Sequence, residues 1–434
     1  MSNYMVTKKV DISELKIGMY VSRLEVPWSA TEFPLKGVLV TSKQDIIKLA
    51  RYGRTFFIDQ NKSLNASPQK LIAEVFSKQS QGKNKKAPRT WRKFCTSNYQ
   101  TNAPISKEIV QAKKLLNRVD AVFESMKTDI QQLGPSNVSQ IKMASNSMVE
   151  SIIDNPDALL WLIKVKDDSG KVFDHTVRAA VWAISLGRSM GVQKSSLATM
   201  TQAILLSGIG KSFLKKQDWI KYNGANLSPS FARWVNITLH QLSQCNVEPR
   251  VLTIIANMAE RYDGSGFSDG KASNAIPYLS QMASLAESFD IILHPMLGRK
   301  KRHFANALAR LYCLSDKLFD RALIEEFIQA TGLYPAGTQV ILSDGSRGVV
   351  VEQSKQRRLR ATVAITHDKD GYRMLSYNVV RLGEGKFEKV IVKQEAPSLD
   401  LNQEDLERIN LLIQKHQQSL VGSLVSGFAG MFAS

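Results

Sequence analysis

The sequence predicts a mainly α-helical chain: a helical bundle with a small α+β module before it and a short β-extension after it. Three observations predict this. Apolar residues recur at i, i+3, i+4 and i+7 through most of residues 105–334. Short apolar runs alternate with turn signals through residues 8–59. The period of the pattern shortens after Gly332.

Taken in order, KKVDISELKIGMYVSRLEV turns at Gly18-Met19 before a strand-like Tyr20-Val21, and VLVTS (38–42) reads as a strand. Ser42 is placed to cap a short helix, KQDIIKLARYG, which Gly53 ends, and TFFID (55–59) is another strand. Residues 1–60 therefore form one module. Residues 61–104 are polar and dense in Lys and Arg, with Trp91 and Phe94 interleaved. Self-repelling charge and few apolar groups predict a mobile basic linker; basic residues with aromatics also suit nucleic acid.

The helical domain spans residues 105–334. It opens with an amphipathic helix over 105–133, and further helices are expected over 137–154, 156–166, 172–190, 194–207, 228–243, 248–261, 276–294, 301–314 and 319–332. VFDHTVRAAVWAISLGRSMG is apolar on most sides, so its helix belongs in the centre of the bundle. In the β-extension, residues 335–395, GTQVILSDGSRGVVVEQ reads as a hairpin turning at Asp344-Gly345, and LRATVAITHD and YRMLSYNVVRL add strands. Residues 396–434 comprise a last helix, with Asp400 a candidate cap, and the apolar, small-residue tail SLVGSLVSGFAGMFAS.

Of the 434 residues, 58 are Lys or Arg and 39 Asp or Glu, a formal charge of +19 that favours anionic partners without choosing among them. Cys95, Cys245 and Cys313 show no CxxC spacing, which argues against a disulfide framework or zinc knuckle and suits a reducing compartment. The N-terminal segment lacks the apolar core of a secretion signal, and no run is long and apolar enough to span a bilayer. A cytoplasmic location is expected.

Two segments carry a family resemblance: ILLSGIGK (204–211), and AERYDGSGF (259–267) followed by IPYLSQMASLAESFDIIL (276–293). Together they resemble the HD-GYP domain, a bacterial subgroup of the HD phosphohydrolases, and so imply an HD-type helical bundle. ELKIGMYV, Trp28, Phe33 and the FFID strand resemble the small domain of unknown function that often precedes HD-GYP domains. Residues 332–353 resemble the β-extension that often follows the core. The resemblance implies a cyclic-di-GMP phosphodiesterase whose two or three iron or manganese ions, held by His and Asp, generate hydroxide and neutralise the phosphodiester.

At the implied ligand positions this chain departs from the family. His175 matches the first metal-binding histidine. The paired His-Asp falls on Ser207 and Gly208, and two adjacent histidines fall on Met258 and Ala259. The late aspartate falls on Glu287, and His240 is the one histidine near another expected position. Gly210, Lys211 and Asp290 match. The signature Gly-Tyr-Pro becomes Gly266, Phe267 and Ser268. With Ser, Gly, Met and Ala at four ligand positions, no multinuclear metal centre, no catalytic residue and no cofactor are expected. His175 then reads as a core histidine or a residual ligand, and Glu287 as an ion-pair partner of Lys211 or Arg261.

Lys211 and Arg261 could still meet nucleotide phosphates, with the backbone amides of Tyr262, Asp263, Gly264 and Gly266 as a cradle and Tyr262 or Phe267 as a stacking surface. The alternative for this run is a helix ending in a tight turn. Arg299, Lys300, Lys301 and Arg302 form a charge run that is either solvated or docks an acidic partner. The tail either packs on its own domain or contacts a partner or membrane surface. The expected function is a non-catalytic signalling or scaffold protein in the cyclic-di-GMP network, acting through protein contacts or metal-free nucleotide binding. Two alternatives remain open at this point: an active phosphodiesterase with a reduced site, and a basic nucleic-acid-binding adaptor.

Overall fold

The structure is a computed structural model. It describes residues 7–15, 19–27, 30–31, 38–40, 43–59, 95–128, 135–165, 172–297, 301–353, 361–388, 390, 392–395, 401, 404–405, 407–413 and 415. Gly18, Trp28, Phe33, Ser42, Arg299, Lys300, Asp400, residues 60–94 and the tail from residue 416 lie outside them. The chain divides into two units, Met1–Lys85 with Leu308–Leu314, and Lys86–Ala307 with Ser315–Ser434.

The first unit holds β1 (Thr7–Asp11), β2 (Tyr20–Arg23), β3 (Val38–Leu39), α1 (Lys43–Leu49) and β4 (Thr55–Asp59). Its antiparallel sheet has the order β1-β4-β2-β3. Period-two alternation sends Phe56 and Ile58 of β4 inward, where they meet Val10, Val21, Leu24 and Leu49. Two expectations change. The sequence reading assigned no strand to the charged segment TKKVD, yet it pairs along all of β4 from Thr7↔Asp59 to Asp11↔Thr55. The helix after residue 42 is shorter, because Ala50–Tyr52 tighten into a 3₁₀ turn before Gly53, whose φ of 149° an L side chain rarely adopts.

The second unit is mainly helical. It begins with residues 95–104, which were expected to belong to the linker but are bonded to the bundle. Ser97 N–H donates to Gly191 O at 2.9 Å, Tyr99 Oη–H to Val192 O at 2.8 Å and Asn102 N–H to Asp154 O at 3.0 Å. Helices follow: α2 (Ile105–Thr128), α3 (Pro135–Asp154), α4 (Pro156–Val165), α5 (Val172–Met190), α6 (Lys194–Ser212), α7 (Lys216–Lys221), α8 (Pro229–Ala232), α9 (Trp234–Leu242), α10 (Pro249–Asn257), α11 (Tyr278–Leu293), α12 (Phe304–Tyr312, whose residues from Leu308 on are counted with the first unit) and α13 (Arg321–Thr331). As its all-round apolarity predicts, α5 is central, buried continuously from His175 to Gly187. Trp182 of α5 meets Phe289 of α11 edge-on at 5.4 Å, and Phe289 meets Phe327 of α13 at 4.8 Å.

The β-extension comprises β5 (Gln339–Leu342), β6 (Arg347–Glu352), β7 (Thr362–His367), β8 (Arg373–Arg381) and β9 (Val392–Glu395). Its antiparallel order is β8-β7-β6-β5-β9. The β5–β6 turn falls at Asp344-Gly345 as expected, with Gly345 at φ +93° and Asp344 Oδ1 accepting from Ser346 N–H at 3.0 Å. No helix among the described residues is long and apolar enough to cross a membrane.

Candidate functional site

Three helices and one further segment bring the sequence-selected residues together. The first turn of α5 supplies His175, the last turns of α6 supply Ser207, Gly208 and Lys211, and α11 supplies Ser284, Glu287 and Asp290. Met258, Ala259 and Arg261 come from the segment after α10. The cavity between them measures about 10 Å³, no more than a single water would occupy. His175, Lys211, Trp234, Met258, Ala259 and Glu287 all line it.

Its polar lining includes a buried ion pair. The Lys211 ammonium, with only 2% of its side chain exposed, is paired with Glu287 and donates to Ser207 Oγ at 2.8 Å. Ser207 Oγ–H also lies 3.1 Å from Glu287 Oε1. The ring of Trp234 faces the ammonium, 4.5 Å from its centroid. Burial pushes the Lys211 amine below its ordinary range, and the Glu287 carboxylate opposes that push.

Beside this pair lies a second cluster that sequence reading did not assemble. Asp290 is fully buried and accepts from Arg178 Nε at 2.9 Å; its Oδ2 lies 2.8 Å from His175 Nδ1 and its Oδ1 3.0 Å from His294 Nδ1. Burial alone would raise the Asp290 carboxyl, but the Arg178 guanidinium and the two imidazoles hold it well below the usual carboxylate range. Burial pushes His294 down to about 4, against the pull of Asp290, so it is neutral at pH 7. The i, i+3 spacing of His175 and Arg178 and the i, i+4 spacing of Asp290 and His294 were visible signals for this cluster.

The side chains do not fit a multinuclear iron or manganese centre. Among the described residues no group of three or more His, Cys, Asp or Glu is arranged to hold a metal ion. The Nδ1 atoms of His175 and His294 are spent on Asp290, Arg178 pairs with the same carboxylate, and an ammonium occupies the carboxylate of Glu287.

Two sequence expectations are corrected. His240 is not at the site: it lies on the exposed face of α9, about 240° round the helix from Trp234, which faces Lys211 instead. The segment from Tyr262 to Phe267 is not an open phosphate cradle. Tyr262 N–H donates to Leu318 O, Asp263 N–H to Lys317 O, Gly264 N–H to Arg261 O and Phe267 N–H to Ala259 O. Ser265 N–H is accepted by Asp263 Oδ1 at 3.0 Å. Gly266 is pressed against backbone, where a Cβ would lie 2.4 Å from Arg261 N. Arg261 is itself buried, donating to Ser284 Oγ at 2.7 Å and lying 5.4 Å from the ring of Phe319.

Comparison with known proteins places these elements. The model of a domain of unknown function (DUF3391) matches residues 7–141, spanning the small module, the connector and the first long helix. The HD domain model matches residues 162–323. A cyclic di-GMP phosphodiesterase of Pseudomonas aeruginosa is 24% identical over 391 residues, covering 88% of this chain and 91% of the relative. The cyclic di-GMP phosphodiesterase PdeB of Borreliella burgdorferi is 22% identical over 41% of this chain and 48% of its own length. The cyclic di-GMP phosphodiesterase response regulator RpfG of Xanthomonas campestris is 34% identical over 70 residues, 16% of this chain and 18% of its own. A solved HD-GYP-type protein of Bdellovibrio bacteriovorus aligns with a TM-score of 0.40 at 17% identity, over 74% of this chain and 98% of that one. The chain thus joins an N-terminal DUF3391 domain to an HD domain and is homologous to the HD-GYP cyclic di-GMP phosphodiesterases.

Proposed function

We propose that this chain is a catalytically degenerate HD-GYP relative that serves cyclic-di-GMP signalling without hydrolysing the dinucleotide, acting through contacts with other proteins. One observation carries the reading. At four positions where the family resemblance calls for metal ligands stand Ser207, Gly208, Met258 and Ala259, and the cavity between the segments that carry them measures about 10 Å³. Ligand pockets occupy roughly 300–1,000 Å³, so this space, which holds no more than one water, does not admit a cyclic dinucleotide. Of the basic groups considered for phosphate, Lys211 is paired with Glu287, and Arg261 is buried with one donor on Ser284 Oγ. A fold that keeps its shape after losing its chemistry remains useful as a docking surface.

The test is turnover. Full-length protein incubated with cyclic di-GMP and added manganese or iron is expected to release no linear dinucleotide or mononucleotide above the protein-free control. Metal-dependent release would establish the reduced-site phosphodiesterase instead.

A further inference from the structure

Across three neighbouring strands of the β-extension, one row of the sheet is cationic. The antiparallel register sets Arg347 of β6 opposite His367 of β7, and His367 opposite Arg373 of β8. Residues directly opposite in such ladders project from the same face, so the two guanidiniums flank the imidazole. Their charges report the same proximity. Burial, then Arg347 and Arg373, push the His367 imidazole below its ordinary range, and the Asp368 carboxylate opposes them.

Like charges set side by side across a sheet destabilise it, and the chain offsets only one of these. The Arg347 guanidinium makes no hydrogen bond or ion pair among the described residues, and its Nε is buried without a partner. It lies over the backbone of Gly371 in the β7–β8 turn, where a Cβ would sit 3.2 Å from Nη2. His367 Nδ1 is engaged by Thr366 Oγ1 at 2.9 Å, which leaves Nε2 without a partner among the described residues. Arg373 is half-exposed, donates through Nε to Tyr377 Oη at 2.9 Å and pairs through Nη2 with Asp405, which leaves Nη1. The carboxylates beside the row are occupied: Asp405 also accepts from Tyr377 Oη–H at 2.8 Å, and Asp368 Oδ1 accepts from Asp370 N–H at 3.0 Å and Tyr372 N–H at 2.8 Å. The open donors select the ligand, because guanidinium and imidazole N–H groups suit oxyanions. Arg347 and Arg373 start two strand spacings apart, about 10 Å, with His367 between them. A group that meets all three must present oxygens in three directions, as a tetrahedral phosphate does and a planar carboxylate does not. A phosphate monoester is also close to a dianion at neutral pH, matching two guanidiniums, whereas each phosphate of a diester carries one charge.

We propose that Arg347, His367 and Arg373 form a binding site for a phosphate monoester, its oxygens taken by the Arg347 fork, His367 Nε2 and Arg373 Nη1. The site is built on the β-extension, from elements other than those of the HD centre, so the proposal goes beyond the non-catalytic reading and does not depend on it.

Calorimetry on the full chain at constant ionic strength tests it with inorganic phosphate, a phosphoserine peptide and acetate as probes. Phosphate is expected to bind, and acetate about tenfold or more weaker. A peptide that binds more tightly than inorganic phosphate marks a phosphorylated chain as the source, and one that binds no better marks a small phosphorylated molecule; both support the site. Arg347→Gln removes a guanidinium that no described group of the chain uses. It should weaken phosphate by about tenfold or more while the melting temperature in phosphate-free buffer holds or rises. Arg347→Lys keeps the charge and loses the fork, and should fall between the two. Sulfate, whose charge does not change over this range, should bind more tightly at about pH 6 than at about pH 8, because an anion favours the protonated imidazole, and His367→Gln should remove that difference. Absence of phosphate binding, equal affinity for acetate, or affinity untouched by Arg347→Gln overturns the proposal. Neither metal content nor hydrolysis is read, so each of these results leaves the non-catalytic reading standing.

Discussion

A buried ammonium is tolerated when an anion and hydrogen bonds replace its water, and Lys211 has both in Glu287 and Ser207. Lys211→Met would strand Glu287 in the core, and Glu287→Gln would strand the charge of Lys211; each is expected to cost about 3–5 kcal/mol. The double variant Lys211→Met/Glu287→Gln should be more stable than the sum of the single losses predicts. Thermal unfolding of the four proteins measures this, and strict additivity would contradict the pairing. His294 gives the pH dependence. Its folded value of about 4 lies below the ordinary 6.5, so between these the unfolded chain binds the additional proton. Stability therefore falls as the pH drops from about 6.5 to about 4, by at most about 3 kcal/mol from this group. Asp290, whose folded carboxyl is also lowered, adds loss in the same direction at still lower pH. His294→Asn should flatten the upper part of that slope, read as melting temperature against pH. At this scale the sequence exposed the substitutions at 207, 208, 258 and 259 directly. The Asp290 cluster was harder to read, because its members come from helices more than a hundred residues apart.

Among the elements, α6 shows where local reading stops short. Gly208 and Gly210 resemble helix-ending signals, and the helix was expected to close at 207, yet it continues to Ser212 and thereby delivers Lys211 to the centre. The glycines are there for close approach. A Cβ at Gly210 would lie 2.2 Å from both Thr238 Oγ1 and Trp234 O, and the second of these is backbone. At Gly208 the nearest atoms are 3.1 Å away, on the Phe173 and Thr176 side chains. Alanine gains about 1 kcal/mol of helix propensity at either position. At Gly210 overpacking against α9 outweighs that gain, and Gly210→Ala is expected to lose about 2 kcal/mol or more. Gly208→Ala should stay within about 1 kcal/mol of the parent. Equal melting temperatures for the two variants would contradict this account. By contrast, α5 at Val172–Met190 and β4 at Thr55–Asp59 were legible to the residue, since one is apolar on most sides and the other alternates. The strand β1 was not, because its pairing with β4 and a single buried Val10 decide it, neither of which is local.

Across the whole molecule, the architecture and the departures from the family's ligand pattern were readable for different reasons. The order of helical, turn and strand periodicities specified a bundle with a small β-module toward each end; the DUF3391 model matches residues 7–141 and the HD domain model residues 162–323. What replaced the metal positions could not be read from one position at a time. A serine, a methionine and a retained lysine acquire meaning only when α6, α9, α11 and the segment after α10 close on a space of about 10 Å³. The +19 charge gives no partner by itself, and the cavity among the described residues of the HD centre, about 10 Å³, is far below nucleotide size. The central claim is that the side chains at the former ligand positions, Ser207, Gly208, Met258 and Ala259, hold no divalent ions. Elemental analysis of full-length protein, produced in cells supplied with iron and manganese, measures this most directly. The account predicts far less than one such ion per chain; two or more bound per chain, removed together by chelation, would contradict it.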